Sequence, residues 1–377
     1  MKKIINQVLT IVIGLCALVS CAQNSAGKEG QLTTNNYEET QTIVLSDSGT
    51  TFSGSGISIE GDNVKITKAG SYSLSGILSD SSVIVDTKET VFLILNGVDI
   101  TNTQSSAINF INMGKVVIEI ADGTENRLSD GEEKIKKKDT DADTNAVIYS
   151  NSNIELHGGG KLYIKGNNRG GIHSNNKIDI YSGVLNISAK QQGIFAQNSL
   201  IVHDGEINIE QSKEGMECKS ELIINDGHIQ IISKDDALNA GDSIVINGGY
   251  IYADSGGDGF DSNGNMTINS GEIYIFAKKQ KSSGLDVSDG SKIGKFTING
   301  GTVVAAGNGD PITVERSSKQ GYTWLYPQEP FVGSASVVSN NGEEIIGFTF
   351  LYECELVFIS VETIKSSETY MLINDTR

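Results

Sequence analysis

The sequence predicts an all-β chain wound into a parallel β-helix with coils of about 22 residues, and three observations carry that prediction. From Gly171 to Phe276, five near-copies of one 22-residue unit follow without a gap, with Ile172, Ile194, Met216, Leu238 and Phe260 at the same place in successive copies. Eleven residues after each landmark stands a glycine (Gly183, Gly205, Gly227, Gly249, Gly271), and an apolar residue returns two positions later at Leu185, Ile207, Ile229, Ile251 and Ile273. Within a unit the pattern alternates with a period of two, as in Ile244 and Ile246, then breaks at Asn247-Gly248-Gly249 before Ile251 and Ala253 resume it. Self-similarity at such a period marks a solenoid, and alternation broken by Gly/Asn turns marks strands. Short strands in fixed register can pair only with their counterparts in the next coil, giving roughly three strands per turn and ~4.8 Å between coils. A leucine-rich repeat has a similar period, but its fixed leucines and its Cys or Asn at the strand end are absent.

The chain begins with Met1-Lys2-Lys3, an apolar run from Ile4 to Val19, and Leu18-Val19-Ser20-Cys21. A positive head and a short apolar core predict a secretory signal over residues 1–20 rather than a membrane span. The last four residues resemble a bacterial lipobox, which implies cleavage before Cys21, diacylation of its thiol and a mature protein tethered to a membrane. The expected location is the cell envelope, outward-facing or periplasmic; the alternative is an ordinary secreted protein with a chance cysteine. Of the four cysteines, Cys16 lies in the apolar core of the signal. Only Cys218 and Cys354 then remain for the fold, too few for a disulfide framework, and both read as buried thiols. Residues 21–39, rich in Asn, Gln, Gly, Thr and Ser, read as a flexible spacer.

The β-helix is expected over residues 40–309. Its early coils are less regular: Phe52 to Ile59, Val64-Lys-Ile, Tyr72-Ser-Leu and Val91 to Gly97 each read as a strand closed by Gly or Asn. Thr124 to Asn145 is polar and charged and is expected to loop out, after which Ile148, Ile154, Leu156, Leu162 and Ile164 restore the coil. A Ser288–Gly294 insertion delays Phe296 and Ile298 by about one loop. Asn225, Asn247, Asn269 and Asn299 recur at one turn and predict a structural ladder of side-chain amides. Beyond Asp310 the periodicity stops and aromatics gather (Tyr322, Trp324, Tyr326, Phe331, Phe348, Phe350, Tyr352, Phe358). An open solenoid end exposes core and unpaired strand edges, so residues 310–377 are expected to form a cap continuous with the helix.

A net charge of −18 argues against nucleic acid as a partner and suits a surface that holds cations. Two residues before the landmark stand Glu214, Asp236 and Asp258; one residue after it stand Glu217, Asn239, Asp261 and Asp286. Stacked at ~4.8 Å, like charges repel by roughly 1 kcal/mol per pair in water and more near a surface, and no Lys or Arg occupies equivalent positions. Clustered hard oxygens suit Ca²⁺, with Asp235 and the carbonyls of Gly257 and Gly259 as further ligands. A merely solvated acidic turn is the alternative. His157, His173, His203 and His228 read as falling at unrelated coil positions, so no zinc site competes.

The runs Asp235-Asp-Ala-Leu-Asn-Ala-Gly-Asp, Ile246-Asn-Gly-Gly, Asp258-Gly-Phe-Asp-Ser-Asn-Gly and Ile298-Asn-Gly-Gly-Thr-Val resemble those of a bacterial family of calcium-binding, carbohydrate-binding β-helix lipoproteins. The family's cellulose- and pectin-binding type member is clostridial. Asn145-Ala-Val-Ile-Tyr-Ser, Leu156-His-Gly-Gly-Gly-Lys-Leu-Tyr-Ile, Leu95-Asn-Gly-Val-Asp-Ile and Glu125-Asn-Arg-Leu-Ser-Asp-Gly extend the likeness over about residues 40 to 375. The resemblance implies a right-handed parallel β-helix like that of pectate lyases, several Ca²⁺ ions and binding to plant cell-wall polysaccharide. Gln192, Phe195 and Asn239 stand where the pattern has acids, which implies fewer ions.

Three functions follow as expectations. The first is calcium-dependent, non-catalytic polysaccharide binding, with uronic-acid chains bridged to the acidic ladder and neutral chains stacked on Tyr250, Tyr252 and Tyr274. The second is a calcium-dependent polysaccharide lyase, with Lys219 and Lys234 as candidate bases. The base in β-helix lyases is typically Arg or Lys, and Arg127, Arg169, Arg316 and Arg377 lie outside the regular acidic coils, which weighs against a lyase of the arginine-base kind. The third is an adhesin that uses calcium only for rigidity, with a protein partner on an apolar stripe of Ile201, Ile223 and Val245. Binding is preferred.

Overall fold

The computed structural model describes residues 39–112, 114–131, 146–287 and 294–375, which belong to one compact unit. The signal segment, Cys21 and nearly all of the spacer lie outside the described residues, as do most of the Thr124–Asn145 and Ser288–Gly294 stretches.

Each regular coil contributes three strands, as the spacing predicts. One coil runs through Ile194–Ala196, Leu200–Val202 and Glu206–Ser212; the next runs through Met216–Cys218, Glu221–Ile224 and His228–Ser233. The first strand of each coil joins an 11-stranded sheet that starts at Ile57–Glu60 and ends at Leu285–Asp286; the other two join a 22-stranded sheet. Coil-to-coil pairing is parallel and keeps the repeat's register, Ile194 opposite Met216, Met216 opposite Leu238 and Leu238 opposite Phe260. All four side chains are buried, so each landmark stacks on its own kind along the core.

The glycine column is fixed by backbone geometry. Gly183, Gly205, Gly227, Gly249 and Gly271 all take positive φ. A Cβ on Gly227 (φ 116°) would stand 2.8 Å from the carbonyl oxygen of Gly205 in the coil before. The turn is thus both left-handed and in close contact with its neighbour, and glycine alone satisfies both demands. At the asparagine turn, Asn247 Nδ2 donates to Asn225 Oδ1, Asn269 Nδ2 to Asn247 Oδ1 and Asn299 Nδ2 to Asn269 Oδ1, each at 2.8 Å.

Two stretches differ from expectation. Glu125–Asp130, read as part of a loop, is a strand paired with Val91–Asn102 on one side and Lys161–Gly166 on the other. Its alternate residues Asn126, Leu128 and Asp130 are buried, so the strand pattern is present but written partly in polar side chains. At the beginning, Ile57–Glu60 turns back antiparallel on Asn63–Ile66, and Thr51–Phe52 on Thr40–Leu45, closing the first edge with hairpins.

The aromatic tail both plugs and flanks the other end. Phe358 enters the main core, 5.5 Å from the Phe296 ring and 4.9 Å from the Trp324 indole. Its strand, Leu356–Ser360, pairs antiparallel with Thr302–Gly307, the last strand of the coils. A three-stranded antiparallel sheet (Gly333–Ser339, Glu344–Phe350, Tyr370–Asn374) builds a second core with Phe276, Val304 and Val357 against the outside of the last coils. Cys218 and Cys354 are buried and unbridged.

Candidate functional site

The strands Met216–Cys218, Leu238–Ala240, Phe260–Ser262 and Leu285–Asp286 bury their first residues, which turns Glu217, Asn239, Asp261 and Asp286 to one outer column. Beside it, Glu214, Asp236 and Asp258 form a second ladder with a structural duty. Glu214 Oε2 accepts from the backbone N–H of Asp236 at 2.9 Å, Asp236 Oδ1 from that of Asp258 at 2.8 Å, and Asp258 Oδ1 from that of Ser283 at 2.6 Å. Each carboxylate therefore caps the turn of the following coil. Asn239 links the columns by donating to Asp236 Oδ2 at 3.1 Å and to Asp261 Oδ2 at 3.3 Å.

No lysine shares the acids' register, and of the lysines that approach this edge only Lys219 and Lys234 were anticipated, as candidate bases. Lysines reach it from neighbouring positions instead. Lys213 Nζ stands 3.0 Å from Glu214, Lys279 Nζ stands 3.2 Å from Asp235, and Lys219 pairs with Glu217 while lying over the Phe195 ring. A flexible four-carbon stem can cross from one column to the next, so register alone misjudges lysine. Glu214, Glu217 and Asp235 thus each have a lysine partner.

Asp236, Asp258, Asp261 and Asp286 form the rest of the edge and are half-buried. Burial, then the charges of Asp236, Asp286, Asp258 and Glu214, push the Asp261 carboxyl up to about 7. Burial, followed by Asp236, Asp286 and Asp235, pushes Asp258 up to about 6 despite the Ser283 N–H. Asp236 is also raised, chiefly by burial. Among the described residues, no three His, Cys, Asp or Glu side chains converge closely enough to hold a metal ion as they stand. The donor set is chemically right for a hard cation, being all oxygen. Its oxygens would have to draw together around one.

The expected tyrosine platform is displaced. Tyr252 and Tyr274 do face each other across adjacent coils, but both pack against the core of the cap. Tyr252 lies 5.9 Å from the Phe276 ring, and burial, followed by Asp254, pushes its phenol up to about 12. Tyr352 of the cap donates to Asp254 at 2.9 Å beside them. Tyr250 stacks on His228 at 4.6 Å, and Tyr274 Oη donates to Glu272 at 3.1 Å. The cap folds back along the coils onto Tyr252 and Tyr274, a return that no local pattern announces, while Tyr250 lies outside the cap's core and all three stay half-buried. Ile201, Ile223 and Val245 form the anticipated column and are half-buried.

With this geometry in place, comparison with known proteins becomes informative. A family model described as carbohydrate-binding domain-containing protein matches residues 60–213 and again 210–259, more than half of the chain. The chain belongs to this carbohydrate-binding domain family. A carbohydrate-binding domain-containing protein of Acetivibrio thermocellus is 38% identical over 136 residues, covering 36% of this chain and 48% of that protein. The chain thus spans about half the length of that relative. A solved structure, titled a polysaccharide lyase-like protein from C. thermocellum in a gadolinium derivative, aligns over 74% of this chain and 95% of its own, with 24% identity and a TM-score of 0.48.

This carbohydrate-binding domain chain also carries side-chain columns that the sequence reading passed over. His157 and His203 do share a coil position, stacking on the two faces of Tyr181 at 4.4 and 4.2 Å. His203 Nε2 lies 3.3 Å from Asp179 Oδ1 and His157 Nε2 3.5 Å from Glu155. The triple glycine at 158–160 lengthens that coil, so a strict 22-residue comb misses the alignment. The column that holds Glu217 and Asp261 continues backward as Tyr149, His173 and Phe195, with ring centroids 5.3 and 4.6 Å apart. Phe195, noted only as a missing acid, is the last ring of that stack.

Proposed function

We propose that this carbohydrate-binding domain protein is a calcium-dependent, non-catalytic binder of plant cell-wall polysaccharide, anchored at the cell surface through Cys21. The observation that carries the reading is the stacking of Asp236, Asp258, Asp261 and Asp286 on successive coils, fixed by turn hydrogen bonds and the Asn239 amide, with the Asp261 carboxyl raised by burial and its acidic neighbours. A hard divalent cation held by Asp236, Asp258 and Asp261, with Asn239 and Asp286 beside them, relieves that repulsion and supplies the chemistry that attracts uronate carboxylates. Glu214, Glu217 and Asp235 then serve as lysine-paired walls rather than primary ligands. Asp236 and Asp258, with Glu214, themselves cap successive turns, which fixes their spacing before any ligand arrives.

Binding is favoured over lyase chemistry by what surrounds the basic groups. Lys219 is engaged by Glu217 and the Phe195 ring, and Arg127 and Arg169 lie against Glu125 and Asp130, not against the acidic edge. The deciding experiment incubates the protein with polygalacturonate in calcium and then in EDTA, following retention on the polymer and the ultraviolet absorbance of unsaturated products together. Calcium-dependent retention without absorbance is the expected result. Rising absorbance would replace binding by lyase activity and direct attention to Lys219 and Lys234. No retention in either condition would leave the carboxylate ladder a rigidifying device and bring the adhesin forward.

A further inference from the structure

We propose that a second saccharide site, for a neutral glycan chain, lies on the outer face of the larger sheet around Tyr163 and Arg127, far along the sequence from the acidic edge. The proposal rests on the reading of this chain as a carbohydrate binder and assigns part of that binding to a different surface.

A groove of 430 Å³ opens there, within the size range of small-ligand clefts. Its residues come from successive coils in strict register: Asp99 opposite Arg127, Arg127 opposite Tyr163, Tyr163 opposite Asn186, and Asn186 opposite Asn208. This row runs along the solenoid axis with one outward side chain per coil, ~4.8 Å apart, so a linear polymer laid along it meets a new contact at each step. A bulge raises one wall: the pairing shifts after Ile187, Ser188 faces Gln211, and Glu210 is left as an extra, exposed residue at the groove. The same row continues through Gln230 to Tyr252 and Tyr274, where the cap covers it. The cap therefore ends the groove on that side.

The lining chemistry selects the ligand class. Arg127 lies 5.0 Å over one face of the Tyr163 ring, which holds both planar groups in place so that the ring's outer edge and hydroxyl and the guanidinium's free edge face the groove. The guanidinium charge is already balanced, Nη2 standing 2.8 Å from Glu125 Oε2 with Asp99 next to it in register. Glu210 adds a third carboxylate, against Arg127 and Lys165 on the positive side. Carboxylate acceptors beside Asn186 and Ser188, which both donate and accept, suit hydroxyl groups. A uronate would add negative charge to three acids, and it is therefore a poorer occupant than a neutral sugar.

Affinity electrophoresis through gels containing hydroxyethylcellulose, xyloglucan or galactomannan, all in EDTA, tests the proposal. The protein is expected to be retarded by at least one of these neutral polymers without calcium. Tyr163→Ala should weaken that retardation at least 10-fold and Tyr163→Phe should keep it. Ser188→Trp, which fills the groove without removing the Tyr163 or Arg127 contacts, should abolish it and covers the case in which Tyr163→Ala fails to fold. Absence of retardation in every neutral gel would overturn the proposal, as would unchanged retardation of both Tyr163→Ala and Ser188→Trp. A loss seen only in polygalacturonate gels would overturn the neutral-sugar assignment. Asp261→Asn should leave neutral-glycan retardation intact; if calcium-dependent polygalacturonate retention fails while neutral retention stands, only the acidic-edge reading falls.

Discussion

Replacing Asp261 by Asn separates repulsion from ligation on the acidic edge. The folded carboxyl titrates at about 7 against an ordinary value of 3.8. Because the folded group binds its proton more tightly than the unfolded one, the folded state carries the extra proton between about pH 4 and pH 7. Stability from this group is then fully present below about pH 4 and declines as the pH rises through 7. A shift of roughly three units corresponds to at most about 4 kcal/mol. The group is partly exposed and is coupled to Asp236 and Asp258, whose carboxyls are also raised, which reduces the net effect to about 1–2 kcal/mol. In EDTA at pH 7.5, Asp261→Asn should therefore be more stable than the parent by that amount, a few degrees in Tm, and the difference should vanish at pH 4. The chain already makes this exchange one coil earlier, at Asn239, whose amide bridges Asp236 and Asp261. Added calcium should stabilise the parent at pH 7.5 and leave the variant nearly unmoved. Circular dichroism melts at pH 4 and 7.5, each in EDTA and in calcium, give all the needed values. A variant less stable than the parent in EDTA at pH 7.5 would refute the argument, since repulsion would then not be the governing interaction at Asp261.

Leu238→Ala removes a fully buried member of the landmark column and should cost about 2–5 kcal/mol in denaturant unfolding, with hydrogen exchange rising first in its own and the adjoining coils. Gly227→Ala forces a side chain into positive φ and against the Gly205 carbonyl, and should cost more than the few tenths to ~1 kcal/mol of an ordinary exposed glycine substitution, read as a lowered Tm. Asn247→Ala breaks two amide contacts on an exposed turn; about 0.5–1.5 kcal/mol or less is expected, measured by chemical denaturation. Burial pushes Cys218 up to about 11 and Cys354 up to about 12, so a thiol reagent at pH 8 should label neither until the chain unfolds, whereas rapid labelling of the native protein would contradict their placement.

The acidic edge and the coil order were legible because both are local arithmetic. Ile194, Met216, Leu238 and Phe260 repeat at one interval, and in a solenoid one interval means one column, so Glu214, Asp236 and Asp258 had to stack. The same arithmetic located the asparagine ladder and the glycine turn. It faltered where the interval changes: the insertion at 132–145 separates Arg127 from its partner Tyr163, and the glycines at 158–160 put His157 out of step with Tyr181 and His203.

Repetition in the chain was thus enough to establish the parallel coils, their buried columns and the acids that ride beside them, because nearest-neighbour stacking converts spacing directly into contact. Folding in three dimensions decided what happens between columns. Lys213, Lys219 and Lys279 reach across to pair with Glu214, Glu217 and Asp235, and the terminal sheet folds back over Tyr252 and Tyr274. The bulge at Glu210 and the row from Asp99 to Asn208 shape an open groove from strands whose sequences look unrelated. Long side chains, insertions and a returning terminus join residues whose separation along the chain carries no period, and only their packing brings them together.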